Sequence, residues 1–308
     1  MIKQRYITLS LAFRMLLSLL FIVSLIAPFY QSKVTDKLQP LDTKVNFSTK
    51  QHIIKTAKVI KLAEAPLHKV VLPDFANIGD VKEKKRQFFN YMKPAITSEN
   101  NKITLIRAEI LALKAKLLLE QGLSQEDKAL FKKRLKQYKI KNKIKTKTKI
   151  QSANKNKKKQ AQLSKIDELL ARVDIVPSSL VLVQAANESA WGTSRFARVG
   201  LNFFGIWCYK KGCGMVPNSR DIDGKHEVEK FASVDDAVRR YLHNINTNQA
   251  YRVLRTIRAQ LRAQKHPLTP KILATGLLPY SERGSDYVLE ITSMIRHNQV
   301  YFDSPSKL

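Results

Sequence analysis

A glutamate near the end of a short apolar helix is the side chain in this sequence best suited to acid chemistry. The sequence predicts a helix over Leu180–Ala190, and Glu188 falls in its last turn. Val181, Gln184 and Ala185 precede Glu188 by seven, four and three residues, so they share its helix face. Apolar surroundings and the negative end of the helix dipole both disfavour the charged form, so we expect a raised pKa for the Glu188 carboxyl. A carboxylic acid that is protonated near neutral pH can protonate a glycosidic oxygen.

Residues on both sides of this helix define the element that must position Glu188. Pro177-Ser178-Ser179 predicts its start, with a serine placed to cap the first N–H groups, and Gly192 is the natural stop. Taken alone, a glutamate at a helix end is usually an ordinary solvated residue. The context favours function, because Trp191 and Gly192 follow at once and Asn202–Trp207 comes one short loop later.

Several short motifs occur in order around Glu188. ESAWG begins at Glu188 and NFFGIW at Asn202; WCYKKGCGMVP, HEVEKF, YSERGSDYV and MIRHN follow, and VKEKKRQFFNYMKP and LLARVD lie upstream. Together they resemble the bacterial glucosaminidase family of peptidoglycan hydrolases, glycoside hydrolase family 73, which includes flagellar and autolytic enzymes. The resemblance covers about residues 79–298, without a lysine-rich stretch inside that range.

The resemblance implies a fold and a reaction. The fold is α+β and mainly helical, a lysozyme-like glucosaminidase domain with a cleft between a helical lobe and one small β-hairpin lobe. The reaction is hydrolysis of the β-1,4 bond after N-acetylglucosamine in peptidoglycan glycan strands, with no cofactor. Glu188 matches the family's catalytic acid. Tyr280 falls where the family places a cleft tyrosine, so we assign it a role near the cleaved bond.

The same motifs supply candidate substrate contacts. Large aromatic side chains at such spacing are usually part of the core, so a structural role is the alternative to lining the cleft. The candidates are Trp191, Asn202, Phe203, Trp207 and Tyr287.

The second catalytic group is the least determined part of the site. An inverting glycosidase places a base about 6.5–9.5 Å from the acid, and a retaining one places a nucleophile about 5–5.5 Å away. The family draws this residue from its β lobe, which offers Asp221, Asp223, Glu227 and Glu229. Alternation along a strand puts Glu227 and Glu229 on the same face and cannot separate them. We choose Glu227, which lies in HEVEKF, with Asp221 as the alternative because flagellar members carry this acid on the strand before the turn. In a third scheme the substrate's acetamido group attacks, and Tyr280 and a carboxylate orient it.

Two cysteines bracket a short loop before the β lobe. Cys208 and Cys213 enclose YKKG, and they are either free buried thiols or a disulfide. A signal anchor upstream would place them in an oxidising compartment, which favours the disulfide. Asp223-Gly224, flanked by extended residues, predicts the turn of the β-hairpin. The sequence has neither a CxxC…CxxC nor an HExxH pattern, so we expect no metal site.

The first residues predict a membrane attachment. Basic residues up to Arg14 precede the almost wholly apolar segment Met15–Tyr30. We interpret residues 1–30 as an uncleaved signal anchor, which makes the protein a single-pass inner-membrane protein with its catalytic domain in the periplasm. A cleavable signal peptide is the alternative, although no A-x-A site is present. Residues 31–78 are polar and weakly periodic, which indicates a flexible tether.

Residues 79–172 predict a helical region upstream of a glucosaminidase domain at 173–304. A 3-4 apolar spacing over Ile103–Leu117, a stop at Gly122 and a capping box at Ser124 and Asp127 predict an antiparallel helical hairpin. Residues 139–160 are dominated by lysine with asparagine, glutamine and threonine, which indicates a solvated, flexible insertion.

The net charge of +30 demands an anionic partner or surface. Much of it lies in the lysine-rich insertion, which has almost no aromatic residues for base stacking, so we do not expect a nucleic-acid partner. Two other functions stay open: a lytic transglycosylase, which also carries ESAW-like motifs but continues into a GLMQ-type segment that is absent here, and a non-catalytic, membrane-tethered wall-binding protein. The sequence leaves the oligomeric state open.

Overall fold

The computed structural model describes residues 64–141, 153–218, 220, 224–280 and 283–302. The predicted signal anchor and the first part of the predicted tether therefore lie outside the described residues. Within the described ranges, no helix combines the length and the apolar character that crossing a membrane requires.

Helices make up most of the described chain. In order they are α1 (Val81–Leu118), α2 (Gln125–Gln137), α3 (Ala153–Arg172), α4 (Ser178–Glu188), α5 (Arg195–Gly200), α6 (Val234–Thr247), α7 (Arg252–Ala263), α8 (Pro270–Ala274), α9 (Ser285–His297) and α10 (Gln299–Phe302), with 3₁₀ helices at Gln249–Tyr251 and Thr275–Tyr280. Three short strands, β1 (Trp207–Cys208), β2 (Gly214–Met215) and β3 (Glu227–Glu229), lie between α5 and α6. The predicted mainly helical α+β architecture is confirmed.

The second half of α1 and the whole of α2 lie antiparallel. Lys116 of α1 forms an ion pair at 2.8 Å with Asp127, at the start of α2. Glu109, two turns before Lys116 in α1, pairs at 2.6 Å with Arg134, near the end of α2. The Ser124 capping box is present, with both reciprocal hydrogen bonds. It fixes the start of α2 and therefore the position of the turn.

The lysine-rich insertion is shorter than the sequence suggests. Residues 142–152 lie outside the described ranges, but Ala153 already begins α3, so 153–160 are helical. Lysine has a good helix propensity, and the apolar second half of α3 packs into the core, so the helix propagates back into the polar run. Lys159 also pairs with Glu120 of the hairpin at 2.9 Å.

The end of the predicted tether is packed rather than flexible. The Leu67 N–H donates to the Val199 carbonyl at 2.8 Å, and Glu64 pairs with Arg195. Phe75 is 2 % exposed and contacts the rings of Phe88 and Tyr91. The buried Phe75 ring and backbone hydrogen bonds hold this segment in place. Neither feature produces a periodic pattern of hydrophobic residues in the sequence.

The β lobe is a three-stranded sheet rather than a single hairpin. Strand order is β1-β3-β2, with both outer strands antiparallel to β3. Trp207 and Met215 both pair with Val228 across the two ladders. Residues 216–226 separate β2 from β3, and Asp223 of the predicted Asp-Gly turn lies outside the described residues. β1 was missed because a two-residue strand has no alternation to detect.

A buried charged cluster joins the upstream helices to the C-terminal part. Asp174, 2 % exposed, accepts two hydrogen bonds from Arg262 at 2.9 Å. Arg258, 1 % exposed, donates to the carbonyls of Arg172 and Asp174 at the end of α3 and to Asn246 of α6. A guanidinium that satisfies the last carbonyls of a helix also stabilises its dipole. The hairpin region and the C-terminal part therefore share one continuous core.

Candidate active site

Glu188 opens onto a cleft of about 700 Å³ between α4, α6 and the sheet. The loop Phe204–Trp207 and strand β1 form one wall, and Glu229 of β3 with Arg240 of α6 forms another. Lys139, at the end of the helical hairpin, reaches its edge. The helical part thus supplies the acid and the sheet supplies the opposite wall.

Burial sets the acidity of Glu188. The side chain is partly exposed, and burial raises the pKa of its carboxyl, which outweighs the lowering by hydrogen bonds with Tyr287 and Asn187. Glu290 raises this pKa further through its negative charge. A raised pKa keeps the proton that a general acid must deliver.

A chain of three buried side chains reaches Glu188 from the core. The Tyr241 hydroxyl donates to Gln184 Oε1, Gln184 Nε2 donates to the Tyr287 hydroxyl at 3.2 Å, and that hydroxyl donates to Glu188 Oε1 at 3.0 Å. Gln184 and Tyr241 are 0 % and 1 % exposed, so neither has water as a competing partner. We call Tyr241, Gln184 and Tyr287 the hydrogen-bond relay.

The relay has a fixed direction. An ionised Glu188 only accepts, so Tyr287 must donate to it and must itself accept from the Gln184 amide nitrogen. The amide oxygen of Gln184 then faces Tyr241. Oε1 of Glu188 is thereby an acceptor, and the acidic proton belongs on Oε2. A Cβ placed on Gly205 would lie 3.7 Å from Oε2, so this oxygen faces the cleft wall.

The four residues after Glu188 make a sharp turn. Ala190, Trp191 and Gly192 have φ values of 49°, 58° and 79°, in the left-handed region. The buried Ser189 hydroxyl stabilises the turn, since it donates to the Ala185 carbonyl at 2.6 Å and accepts from the Gly192 N–H at 2.8 Å. The start of α4 differs from the expectation: Pro177 is its N-cap residue and no serine side chain caps it.

Gly192 and Trp191 face the hydrophobic core. A Cβ on Gly192 would lie 2.5 Å from the Phe75 ring, so only glycine fits there. Trp191 packs on the rings of Phe88 and Phe89, with centroids 5.8 and 5.2 Å away. Trp191 does not line the Glu188 cleft but a neighbouring cavity. The structure thus gives this candidate substrate contact a packing role.

Asn202 and Phe203 hold the loop that forms the cleft wall. The Asn202 side-chain amide donates to the carbonyls of Ile206 and Glu229 at 2.9 and 2.8 Å, and its oxygen accepts from the Ile206 N–H at 3.1 Å. Phe203 is 0 % exposed. Both side chains are therefore buried beneath the loop rather than exposed in the cleft. The hydrogen bond of Asn202 to the Glu229 carbonyl also connects the loop to β3.

Aromatic side chains of the β lobe do face the cleft. Trp207 is 51 % exposed and stacks on His226, with centroids 4.1 Å apart and planes at 15°. Tyr209, 73 % exposed, lies two residues on. Exposed aromatic faces of this kind suit sugar rings, which stack on them through their C–H faces.

The geometry does not support the expected catalytic role of Glu227. Glu227 is 6 % exposed, and its two oxygens accept the N–H groups of Gly212 at 2.9 Å and Gly214 at 2.8 Å. These bonds lower the pKa of the Glu227 carboxyl. Its strand partner Cys208 is disulfide-bonded to Cys213, so Glu227 supports the loop that the disulfide closes.

Cys208, Cys213 and Glu227 are also the one group among the described residues whose ligand atoms lie close enough to hold a metal. The disulfide occupies both sulfurs, and the loop occupies both carboxylate oxygens.

Of the β-lobe carboxylates that the structure describes, Glu229 lines the cleft with Glu188. It pairs with Arg240 at 3.1 Å. Strand alternation puts Glu227 and Glu229 on one face, but the loop of residues 209–214 covers only Glu227. That covering depends on strand register, which no local pattern reveals. Of the relay residues, the sequence placed Gln184 only on the helix face of Glu188 and Tyr287 among the substrate contacts. Tyr287 is instead 2 % exposed and bonds to Glu188 itself.

The side chains of three expected site residues lie outside the described part of the chain. Asp221 and Asp223 fall in a gap between described residues. Tyr280 ends the 3₁₀ helix Thr275–Tyr280, and its side chain is not among those described.

Comparisons with known proteins show the family of this chain. Residues 163–300 match the family model described as mannosyl-glycoprotein endo-beta-N-acetylglucosaminidase. Protein bax of Escherichia coli strain K12 is 32 % identical over 230 residues, which cover 74 % of this chain and 74 % of that protein. No solved structure gives a significant match.

Proposed function

Since this chain belongs to the glucosaminidase family, as a relative of the Escherichia coli protein bax, we propose that it is a peptidoglycan hydrolase with Glu188 as its general acid. The bond cleaved is the β-1,4 bond after N-acetylglucosamine in the glycan strand. The observation that carries the proposal is the partly buried Glu188 carboxyl, whose pKa burial raises, at the wall of an open cleft with exposed aromatic rings.

The proton leaves from the cleft side of Glu188. Oε2 delivers it to the glycosidic oxygen as the bond to the anomeric carbon breaks, and Tyr287 stabilises the resulting carboxylate through Oε1. Trp207 and Tyr209 offer faces for the sugar rings on either side of the bond.

Glu229 is our candidate for the second group. It either activates the attacking water as a base or orients the substrate's acetamido group for internal attack. Its ion pair with Arg240 holds the carboxylate at the cleft wall. Tyr280 stays a predicted participant near the cleaved bond.

Digestion of purified peptidoglycan by the full chain in detergent tests the reaction, with the new ends identified by mass spectrometry. Reducing N-acetylglucosamine ends support the proposal, anhydro-muramic ends indicate a transglycosylase, and an absence of cleavage indicates a wall-binding protein. Glu188→Gln should lower the rate by about 10²–10⁴, the usual value of general acid catalysis. Glu126→Gln, on the exposed hairpin, is the matched control and should keep the wild-type rate.

We also propose that residues 1–30 anchor the protein in the inner membrane and place its catalytic part in the periplasm. The basic residues before an apolar segment support this proposal. Membrane fractionation and N-terminal sequencing test it, and a mature chain that begins after Ala27 would show a cleaved signal peptide instead.

A further inference from the structure

A second cavity of about 540 Å³ adjoins the catalytic cleft. The Glu229–Arg240 ion pair, 3.1 Å long, lines both cavities, so it is their common wall. A ligand in the second cavity would therefore lie directly beside the carboxylate that faces Glu188 across the cleft.

The far side of this cavity belongs to the helical hairpin. Ile103 and Ile106 of α1 and Tyr138 at the end of α2 line it, and all three precede the residues that match the family model. This wall is fixed to the catalytic part, because His243 of α6 bonds to the Gln137 carbonyl at 2.9 Å. The hairpin thus completes a site that the family region alone leaves open.

The chemistry of this second cavity differs from that of the cleft. Its aromatic side chains, Tyr138 and Phe231, are 3 % and 8 % exposed, so they offer no open face for stacking a sugar ring. Its accessible groups are instead charged: Lys230 is exposed, and the Arg239 side chain is 60 % exposed with Asp236 as its ion-pair partner at 2.6 Å. The carboxylates that line the cavity are all ion-paired: Glu99 with Lys102, Asp236 with Arg239 and Glu229 with Arg240. Cations next to the partly buried Ile106 suit a short peptide with free carboxylates and small apolar side chains.

We propose that this cavity binds the peptide carried by the muramic acid residue next to the cleaved bond. The inference rests on the proposed function, because in peptidoglycan such a peptide branches from the glycan within one sugar of the scissile bond. The peptide leaves the cleft past Glu229 and Arg240, and its carboxylates meet Lys230 and Arg239. The hairpin then selects glycan strands that still carry peptides.

The test compares two substrates: glycan strands with their peptides, and the same strands after an amidase has removed them. We expect kcat/KM of the wild-type chain to be about tenfold higher on the peptide-bearing strands, equivalent to about 1.4 kcal/mol of binding. Ala232→Trp fills the cavity from an exposed position, and Arg239→Ala removes a cation. Each variant should lose the preference and keep its rate on the denuded strands. Arg296→Ala, an exposed arginine at the end of α9, is the matched control and should keep the preference.

Several outcomes overturn the inference without touching the proposed function. Equal rates of the wild type on both substrates would do so, as would a loss in Ala232→Trp that is the same on both. If neither substrate is cleaved, the proposed function fails. The cavity is then tested directly by titration of the Glu188→Gln chain with the peptide that the amidase releases. Binding that Ala232→Trp abolishes supports the cavity, and binding that it leaves unchanged refutes it.

Discussion

Replacement of Tyr287 by phenylalanine removes the hydroxyl that donates to Glu188 Oε1 while keeping the ring. Burial raises the pKa of the Glu188 carboxyl, and the hydrogen bond from Tyr287 lowers it. Loss of the hydrogen bond should therefore raise this pKa further. The carboxyl then holds its proton to higher pH. Because a general acid is active in its protonated form, the alkaline limb of kcat against pH should move to higher pH.

The magnitude follows from the two protonation states. A hydrogen bond to a charged acceptor contributes about 1.5–3 kcal/mol and one to a neutral acceptor about 0.5–1.5 kcal/mol. Their difference of about 1 kcal/mol raises the protonated fraction of Glu188 about fivefold on the alkaline side of the profile. The plateau at acidic pH should fall about tenfold, because the carboxyl loses the bond that orients it.

Initial rates of glycan cleavage across acidic to mildly alkaline pH measure both effects. Tyr91→Phe is the matched control, since it removes a half-buried hydroxyl of α1 remote from the relay, and its profile should match the wild type. Gln184→Leu should produce a similar shift, because the relay then no longer positions Tyr287. A Tyr287→Phe profile with a lower plateau and an unmoved limb would refute the reasoning, since a general loss of structure predicts that pattern.

Three further results are expected. Glu229→Gln should lower turnover by about 10²–10⁴ with little change in melting temperature, whereas Glu227→Gln should lower the melting temperature by several degrees and affect turnover less; the reverse pattern would restore Glu227 as the catalytic candidate. Gly192→Ala should destabilise the protein by more than the about 1–2 kcal/mol expected from left-handed backbone alone, and Gly212→Ala, equally left-handed but with open space around it, should show only that smaller loss in denaturant titrations. Glu188→Gln should melt above the wild type at neutral pH. The pKa of the Glu188 carboxyl in the folded protein lies above the ordinary value of 4.5, so its contribution to stability falls as the pH rises from 4.5 through the folded pKa. The difference in melting temperature should vanish below pH 4.5.

The position and burial of Glu188 could be predicted from the sequence because they depend on a local period. Spacing alone puts Glu188 in the last turn of an apolar helix, where α4 does end, and the expected burial raises its pKa. Local chemistry also gave the Ser124 capping box, since both partners lie within four residues. The helix also begins where Pro177-Ser178-Ser179 predicts, but the expected serine cap was wrong, because Pro177 occupies the N-cap position and no side chain caps the helix.

What the sequence could not give depends on contacts between distant segments. Glu227 and Glu229 have the same alternation and nearly the same neighbours, and only the loop folded over Glu227 distinguishes them. The motif predicts that Trp191 and Phe203 line the cleft. In the structure both rings pack against Phe88 of α1, which the motif cannot reveal. The segment around Phe75 has no hydrophobic period, and it is held by the Phe75 ring packed on Gly192 and by backbone hydrogen bonds.

In the proposed reaction, the direction of the hydrogen-bond relay also decides how Glu188 regains its proton after each turnover. Tyr241, the far end of the relay, is 1 % exposed, and its ring stacks on Phe204 with centroids 4.1 Å apart. Water has almost no access to that end, so the relay does not return to Glu188 the proton that it gives up in the proposed reaction. It must arrive from water in the cleft, on the same oxygen that discharged it. A product that stays in the cleft after cleavage therefore blocks the reprotonation of Glu188. The next turnover can begin only after water has re-entered the cleft.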